Sequence, residues 1–346
     1  MQRFDTNRKI AVAGLGSMGK RRIRNLLSLG FSNVNVTGFD KRADRREEAK
    51  QLYGIKVVGS EEKLLGENTD VFIISVPPDQ HHHYMKLALG MNRPFFVEAS
   101  VLDTDYDTLT RGVKKKNIVA APSATLCFHP AVKKINEIIR AGELGKLTNF
   151  IYHSGQYLPD WHTYEPVSEY YVSRKETGGA REIVPFELSW ITRLLGFPDR
   201  VQGVIKNAAQ IKGAESVDDT YNALLEYETL VVNLVVDIVS RNAVRELLIN
   251  GTAGQLRWNW DDNCVRVFDA SAKQWKEHAY QSAPAAAGYN KNITEQMYVD
   301  EMAAFFEAIE GKKDIFNTME YDHCVLKLLY AIEESSKKGR TINFSC

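Results

Sequence analysis

The chain has 346 residues, with 44 Lys plus Arg against 44 Asp plus Glu, so its formal charge is zero. That length allows two domains with buried cores, and the even balance argues against nucleic acid or a membrane as the main partner. The four cysteines, Cys127, Cys264, Cys324 and Cys346, lack C-x-x-C spacing, no apolar run reaches the length of a membrane span, and the amino end is polar; free thiols, no signal peptide and a cytoplasmic location are the expectation.

The first element is the most informative. Lys9-Ile-Ala-Val-Ala-Gly14-Leu-Gly16-Ser-Met-Gly19 is a short apolar strand followed by three glycines spaced G-x-G-x-x-G. A helix from Lys20 to Leu29 ends at Gly30, and a second strand, Val34 to Phe39, delivers Asp40. This is the dinucleotide fingerprint. Gly14 permits the tight turn, Gly16 lets the backbone approach a pyrophosphate, and Gly19 lets the helix pack closely on the sheet. The helix amides, those of Ser17 and Met18 included, face the phosphates. Asp40 accepts from a ribose 2′-hydroxyl and favours NAD; Lys41 and Arg42 beside it leave NADP open, since an adjacent cation can hold a 2′-phosphate.

Strand–helix alternation continues to about residue 121. Asp70 to Val76 reads as a buried parallel strand ended by Pro77-Pro78, followed by a helix from Gln80 to Gly90. Pro94 to Glu98 is the next strand, Thr104 to Lys116 a helix, and Ile118 to Ala121 a further strand. The fold expected is an α/β Rossmann domain, a doubly wound parallel sheet, over residues 1–121. His81-His82-His83 is not read as a metal site, because consecutive helical side chains point about 100° apart.

Beyond this the pattern changes. Pro130 to Arg140 reads as a helix, Thr148 to Gln156 as a strand, and Tyr157 to Glu176 as an irregular polar-aromatic tract. Ala180 to Leu195 is helical, and strand-like runs follow at Tyr221 to Tyr227, Leu230 to Ser240, Arg245 to Asn250 and Gln255 to Trp260. These predict a second, α+β domain over 122–346 with a large, mostly antiparallel open sheet. Tyr298, Met302, Phe305, Phe306 and Ile309 share one face of a tail helix and read as core.

These segments together resemble the glucose–fructose oxidoreductase, inositol dehydrogenase and rhizopine-catabolism (Gfo/Idh/MocA) family. The similarity is carried by the glycine loop, Val76-Pro77-Pro78-Asp-Gln-His81, Phe96-Val-Glu98, Phe128-His129-Pro130, Thr177-Gly178-Gly179-Ala180 and Leu248-Ile-Asn-Gly251-Thr252-Ala-Gly254. The resemblance implies NAD or NADP as cofactor, with Ser75, Val76, Pro77, His81 and Glu98 beside it. It also implies a small-molecule carbohydrate substrate, a substrate cleft between the domains, and a homodimer or homotetramer through the C-terminal sheet.

Two departures stand out. Family members end the fifth strand in Glu-Lys-Pro, whereas this chain has Glu98-Ala99-Ser100. They also carry an aspartate and, four residues on, a catalytic histidine after the glycine-rich segment. One register places Ile183 and Glu187 there, the other Glu182 and Phe186. Glu187, Glu182 and Glu98 are therefore the candidate proton carriers, since a carboxyl in a dry cleft has its pKa raised. Tyr157, His162, Tyr164, Lys175 and Arg181 are the candidate substrate contacts, aromatic faces for a sugar ring and cations for phosphate or carboxylate. The expected activity is hydride transfer between nicotinamide and a carbinol or ketone carbon of a sugar. The alternatives are a dinucleotide-binding regulatory protein without turnover, or an NAD-dependent glycosidase.

Overall fold

The structure is a computed structural model and describes residues 4–161, 163, 165–282 and 293–346. The chain divides into two compact units, Met1–Thr125 with Gln296–His323, and Leu126–Glu295 with Cys324–Cys346.

In unit 1 the elements are β1 (Ile10–Ala13), α1 (Ser17–Ser28), β2 (Val36–Phe39), α2 (Ala43–Tyr53), β3 (Lys56–Val58), α3 (Glu61–Leu65), β4 (Val71–Ile74), α4 (His81–Gly90), β5 (Phe95–Val97), α5 (Tyr106–Lys116) and β6 (Ala120–Pro122). The strands form one six-stranded parallel sheet in the order β3-β2-β1-β4-β5-β6. The order reverses beside β1, the position where such sheets place ligands at the carboxyl ends of their strands. β1 and β4 are buried along their whole length, which suits their charge-free sequences IAVA and VFII. The short β3 and helices α2 and α3 escape a periodicity reading. Helix α2 carries no apolar stripe, since only Ala49 in it is buried.

Unit 2 holds α6 (Pro130–Arg140), β7 (Leu147–Tyr157), α7 (Gly179–Leu195), β8 (Arg200–Lys206), β9 (Thr220–Glu226), β10 (Val231–Asp237), β11 (Val239–Gly251), β12 (Gly254–Asn259), β13 (Cys264–Asp269) and β14 (Gln274–Ala279). Then come α8 (Glu295–Ile309), α9 (Met319–Lys338) and the two-residue β15 (Ile342–Asn343). A nine-stranded sheet runs β14-β13-β12-β11-β7-β10-β9-β8-β15, antiparallel except where β10 pairs with β7. Burial alternates along β7. Phe150 and Tyr152 lie against Trp190 of α7, with ring centroids 6.0 and 5.2 Å away. On the opposite face Ile151, Val204, Leu224 and Val231 are exposed.

Two expectations need correction. Helix α8 belongs almost wholly to unit 1, because Met302, Phe305 and Phe306 join the cluster built on Ile10, Val12, Ile23 and Phe96. The ring of Phe306 lies 4.5 Å from that of Phe31 and 5.5 Å from that of Phe4, so the stripe is core, but of the first unit. The cysteines are not all free: Cys324 and Cys346 form a disulfide that ties the carboxyl end to α9, while Cys127 and Cys264 remain thiols. A spacing rule misses this pair because α9 and β15 bring together residues 22 apart. Among the described residues no helix is long and apolar enough to cross a membrane.

Candidate functional site

The glycine loop leaves β1 with Gly14 at φ +91°, a conformation that disfavours any side chain. A Cβ on Gly14 would collide with the Ser75 carbonyl, and one on Gly19 with the Gly14 carbonyl. These two glycines are demanded by the fold itself. Gly16 is different. A Cβ there would meet only the Arg45 guanidinium, at 3.4 Å, so the space over Gly16 is open but for one movable side chain. Gly16 also stands at the amino end of α1, which among the described residues has no side-chain cap and no acidic residue in its first turn. Ser17 and Met18 follow it, half-buried. An uncapped helix amino end beside a backbone free of Cβ fits a diphosphate.

Asp40 forms the rim. Its Oδ2 accepts from the Leu15 amide at 2.9 Å and its Oδ1 from the Arg42 amide at 2.9 Å. The carboxylate is thus fixed to the loop while each oxygen keeps a second acceptor position for a ribose hydroxyl. Lys41 is exposed, and the Arg42 side chain is forked onto the exposed Asp44 at 2.6 and 3.2 Å.

On the β4 side, the buried His81 ring lies 3.0 Å from the Val76 carbonyl through Nε2 and 2.7 Å from Ser100 Oγ through Nδ1. Burial lowers its pKa to about 4, so the ring is neutral. The carbonyl can only accept, which puts the proton on Nε2 and leaves Nδ1 accepting from Ser100. His81 therefore fixes the Val76–Ser100 pair and carries no charge. Pro77, next to it, is exposed. His83 of the same helix instead faces Glu61 at 2.9 Å.

Glu98 sits on a charge network that the sequence did not reveal. Arg22 of α1 is fully buried and grips Glu98 through two bonds of 2.7 and 2.8 Å, and its Nη1 lies 2.9 Å from Glu301 of α8. Ser75 Oγ donates to Glu98 at 3.0 Å. Glu301 accepts in addition from Ser123, from the Ala124 amide and from Thr125, at 2.7 to 3.0 Å. Burial opposes the charge on Arg22, but the two carboxylates outweigh it and raise its pKa. The signal available in sequence was an arginine inside the first Rossmann helix and a glutamate inside the apolar stripe of α8. Neither means much until the fold brings them together.

In unit 2 the candidates divide. Glu187 is fully buried on α7 and takes four donors: Ser154 Oγ and Arg245 Nε on Oε1, Tyr152 Oη and Trp190 Nε1 on Oε2, all at 2.8 to 2.9 Å. Its acceptor positions are filled, so it ties α7 to β7 and β11 and is poorly placed to exchange a proton. Arg181 is likewise committed, to Glu333 at 2.6 Å and the Glu176 carbonyl at 2.6 Å, and is corrected from substrate contact to internal tie. Glu182 stands apart. Its Oε1 accepts from Tyr171 Oη at 2.6 Å, whereas its buried Oε2 is without a hydrogen-bond partner. Burial pushes this carboxyl up to about 7, against the lowering effect of the Tyr171 bond. Tyr157 is half-buried with the Arg241 guanidinium 3.8 Å above its ring, and the exposed Lys175 lies 3.9 Å from Asp218. His162 and Tyr164 lie outside the described residues.

Residues 132–257 match the family profile of the GFO/IDH/MocA C-terminal domain. Over those residues the chain resembles a GFO/IDH/MocA C-terminal domain. Residues 9–98 match the profile described as NADP oxidoreductase, coenzyme F420-dependent, so unit 1 is a dinucleotide-binding domain. A comparison with curated proteins finds no match. Among solved structures, the chain superposes on an oxidoreductase from Agrobacterium radiobacter, solved with NAD+, L-tartaric acid and magnesium, with TM-score 0.85 at 13% identity, over 97% of this chain and 98% of that one. It superposes on a levoglucosan dehydrogenase, solved with NADH and levoglucosan, with TM-score 0.82 at 18% identity, over 97% and 99%. A myo-inositol 2-dehydrogenase from Lactobacillus plantarum gives TM-score 0.80 at 18% identity, over 97% and 99%. These three structures share the architecture. Identities this low leave residue roles to be argued from this chain's own geometry.

Proposed function

We propose that the chain is an NAD(P)-dependent oxidoreductase acting on a carbinol or ketone carbon of a sugar or sugar derivative, with Glu182 carrying the proton. The observation that supports this most is the Glu182 carboxyl, buried, held on one oxygen by Tyr171 and unpartnered on the other. A nicotinamide, when bound, takes or gives the hydride. In the oxidation direction the substrate hydroxyl gives its proton to Glu182 Oε2, the oxygen that Tyr171 leaves open, as the carbinol carbon loses hydride and becomes a carbonyl. Asp40 orients the adenosine ribose and the α1 amides face the diphosphate. Arg22 and Ser75 hold Glu98 in place, so that carboxylate has a positioning role. Tyr157 offers a ring face to the sugar and Lys175 a cation to any phosphate or carboxylate it carries. The exposed apolar side chains on the open sheet, Ile151, Leu224 and Val231 among them, support self-association through that face.

A dinucleotide-binding regulator without turnover is the second reading, favoured by Ala99 and by the saturation of Glu187. Absorbance at the nicotinamide band, followed with NAD or NADP and a panel of sugars and polyols including levoglucosan and myo-inositol, separates the two. In the oxidation direction kcat/KM should rise with pH through about 7, where Glu182 loses its proton, and then level off. In reduction it should fall above that pH. Glu182→Gln should lower kcat by roughly 10²-fold or more and remove that limb. Unchanged rates in the variant would take Glu182 out of the mechanism, and binding without turnover across the panel would select the regulator.

A further inference from the structure

The segment after α9 doubles back along that helix. From Cys324 to Lys338 the helix is about 21 Å long at the α-helical rise. The segment 339–346 reaches at most about 29 Å when fully extended. The Cys324–Cys346 disulfide therefore closes only with this return nearly straight. Contacts with β8 keep it so. Ile342 and Asn343 pair with Val201 and Arg200, and the Phe344 amide donates to the Asp199 carbonyl at 2.8 Å. The Phe344 ring lies 5.8 Å from that of Phe197. Farther along β8 the cover comes from α9 itself. Ser335 Oγ accepts from the Gly203 amide at 3.0 Å, and Ser336 Oγ from the Ile205 amide at 2.9 Å. Ser335 Oγ also donates to the Arg340 carbonyl at 2.6 Å, so helix cover and tail cover meet at one side chain.

A two-residue strand at a chain end is held weakly unless something ties it down, and here the tie is covalent. Its two sulfurs differ in access: Cys346 is exposed and Cys324 half-buried. An exposed disulfide exchanges readily with outside thiols. We propose that Cys324–Cys346 is a thiol-exchange site, a reversible latch that fixes segment 340–346 on the β8 edge when oxidised and frees it when reduced by a glutathione-class thiol. In the opening step a thiolate attacks Cys346 Sγ and the S–S bond breaks. The electron pair leaves on Cys324 Sγ, which takes up a proton. A second thiolate then displaces Cys346 from the mixed disulfide, so two outside thiols are oxidised as the protein gains two thiols. Closing is the reverse, with oxidised glutathione as oxidant. The open form leaves Arg200 and Val201 without a strand partner on that side, a sheet edge able to pair with another strand. Gly203 and Ile205 stay covered by the two serines.

The test equilibrates the intact chain in glutathione buffers from fully oxidised to fully reduced. Thiols are then counted by maleimide labelling after denaturation, and amide hydrogen exchange is read over 340–346. Oxidised protein should label at Cys127 and Cys264 alone, and reduced protein at all four cysteines. Exchange of the Phe344 amide and its neighbours should quicken about tenfold or more on reduction. Cys346→Ser should exchange at the reduced rate in every buffer and melt as reduced wild type does, whereas Cys127→Ser should keep the full response. Tail exchange that differs by less than about twofold between the two forms overturns the latch. So does a pair that stays as thiols in oxidised glutathione, or one that stays bonded in reduced glutathione.

Discussion

The glycine loop after β1 and the first turns of α7 both present a helix amino end, yet they hold their chemistry in different parts of the polypeptide. In the loop the backbone acts. Gly14 and Gly19 are fixed by collisions with neighbouring carbonyls, and Gly16 is left open toward Arg45. On α7 the side chains act, and their roles are set from far away. Glu187 is filled by Tyr152, Ser154 and Arg245, separated from it by 35, 33 and 58 residues. Glu182, one turn earlier on the same helix, meets the Tyr171 hydroxyl on one oxygen and keeps the other open. A site built on backbone is written in a local motif; a site built on buried carboxyls depends on which long-range donors reach each one.

The comparison can be broken most severely at Glu187. Glu187→Gln places an amide donor among four donors and leaves the buried Arg245 without its countercharge. A cost of about 3–5 kcal/mol is expected, lowering the melting temperature by about 10 °C. Differential scanning calorimetry reads this directly. A variant that melts like wild type but loses turnover would return Glu187 to the chemistry. At the other extreme, Lys175→Ala removes a long, exposed pair with Asp218 and should change stability by less than about 0.5 kcal/mol. A larger fall in a urea titration would show that this pair braces the tract before α7.

Much of unit 1 was legible because its rules are local. The G-x-G-x-x-G spacing, the buried β4 run and Asp40 all act on near neighbours, and the structure keeps them where the motif puts them. Helix α6 was legible for the same reason, with His129 accepting from the Ala131 amide as its cap and Pro130 at its first position. The strands β8, β13 and β14 were not. The β8 and β14 patterns are exposed along much of their length, so their apolar periodicity is weak. The return of α8 to unit 1, the Arg22–Glu98–Glu301 network and the Cys324–Cys346 disulfide share one cause: each joins residues that only the finished topology makes neighbours. Arg181 shows the converse error. A cation in a polar tract looks like a ligand contact until Glu333, 152 residues away, is found to occupy it.

The central claim is that the open backbone at Gly16 receives a dinucleotide diphosphate. Isothermal calorimetry with NADH, on wild type and on Gly16→Val, tests it most directly. Wild type should take up one nucleotide per chain. Gly16→Val should show no heat of binding while melting close to wild type, because its side chain displaces only the Arg45 guanidinium in the unliganded fold. Folded wild type that takes up neither NADH nor NADPH, or a Gly16→Val variant that binds as wild type does, would contradict the account.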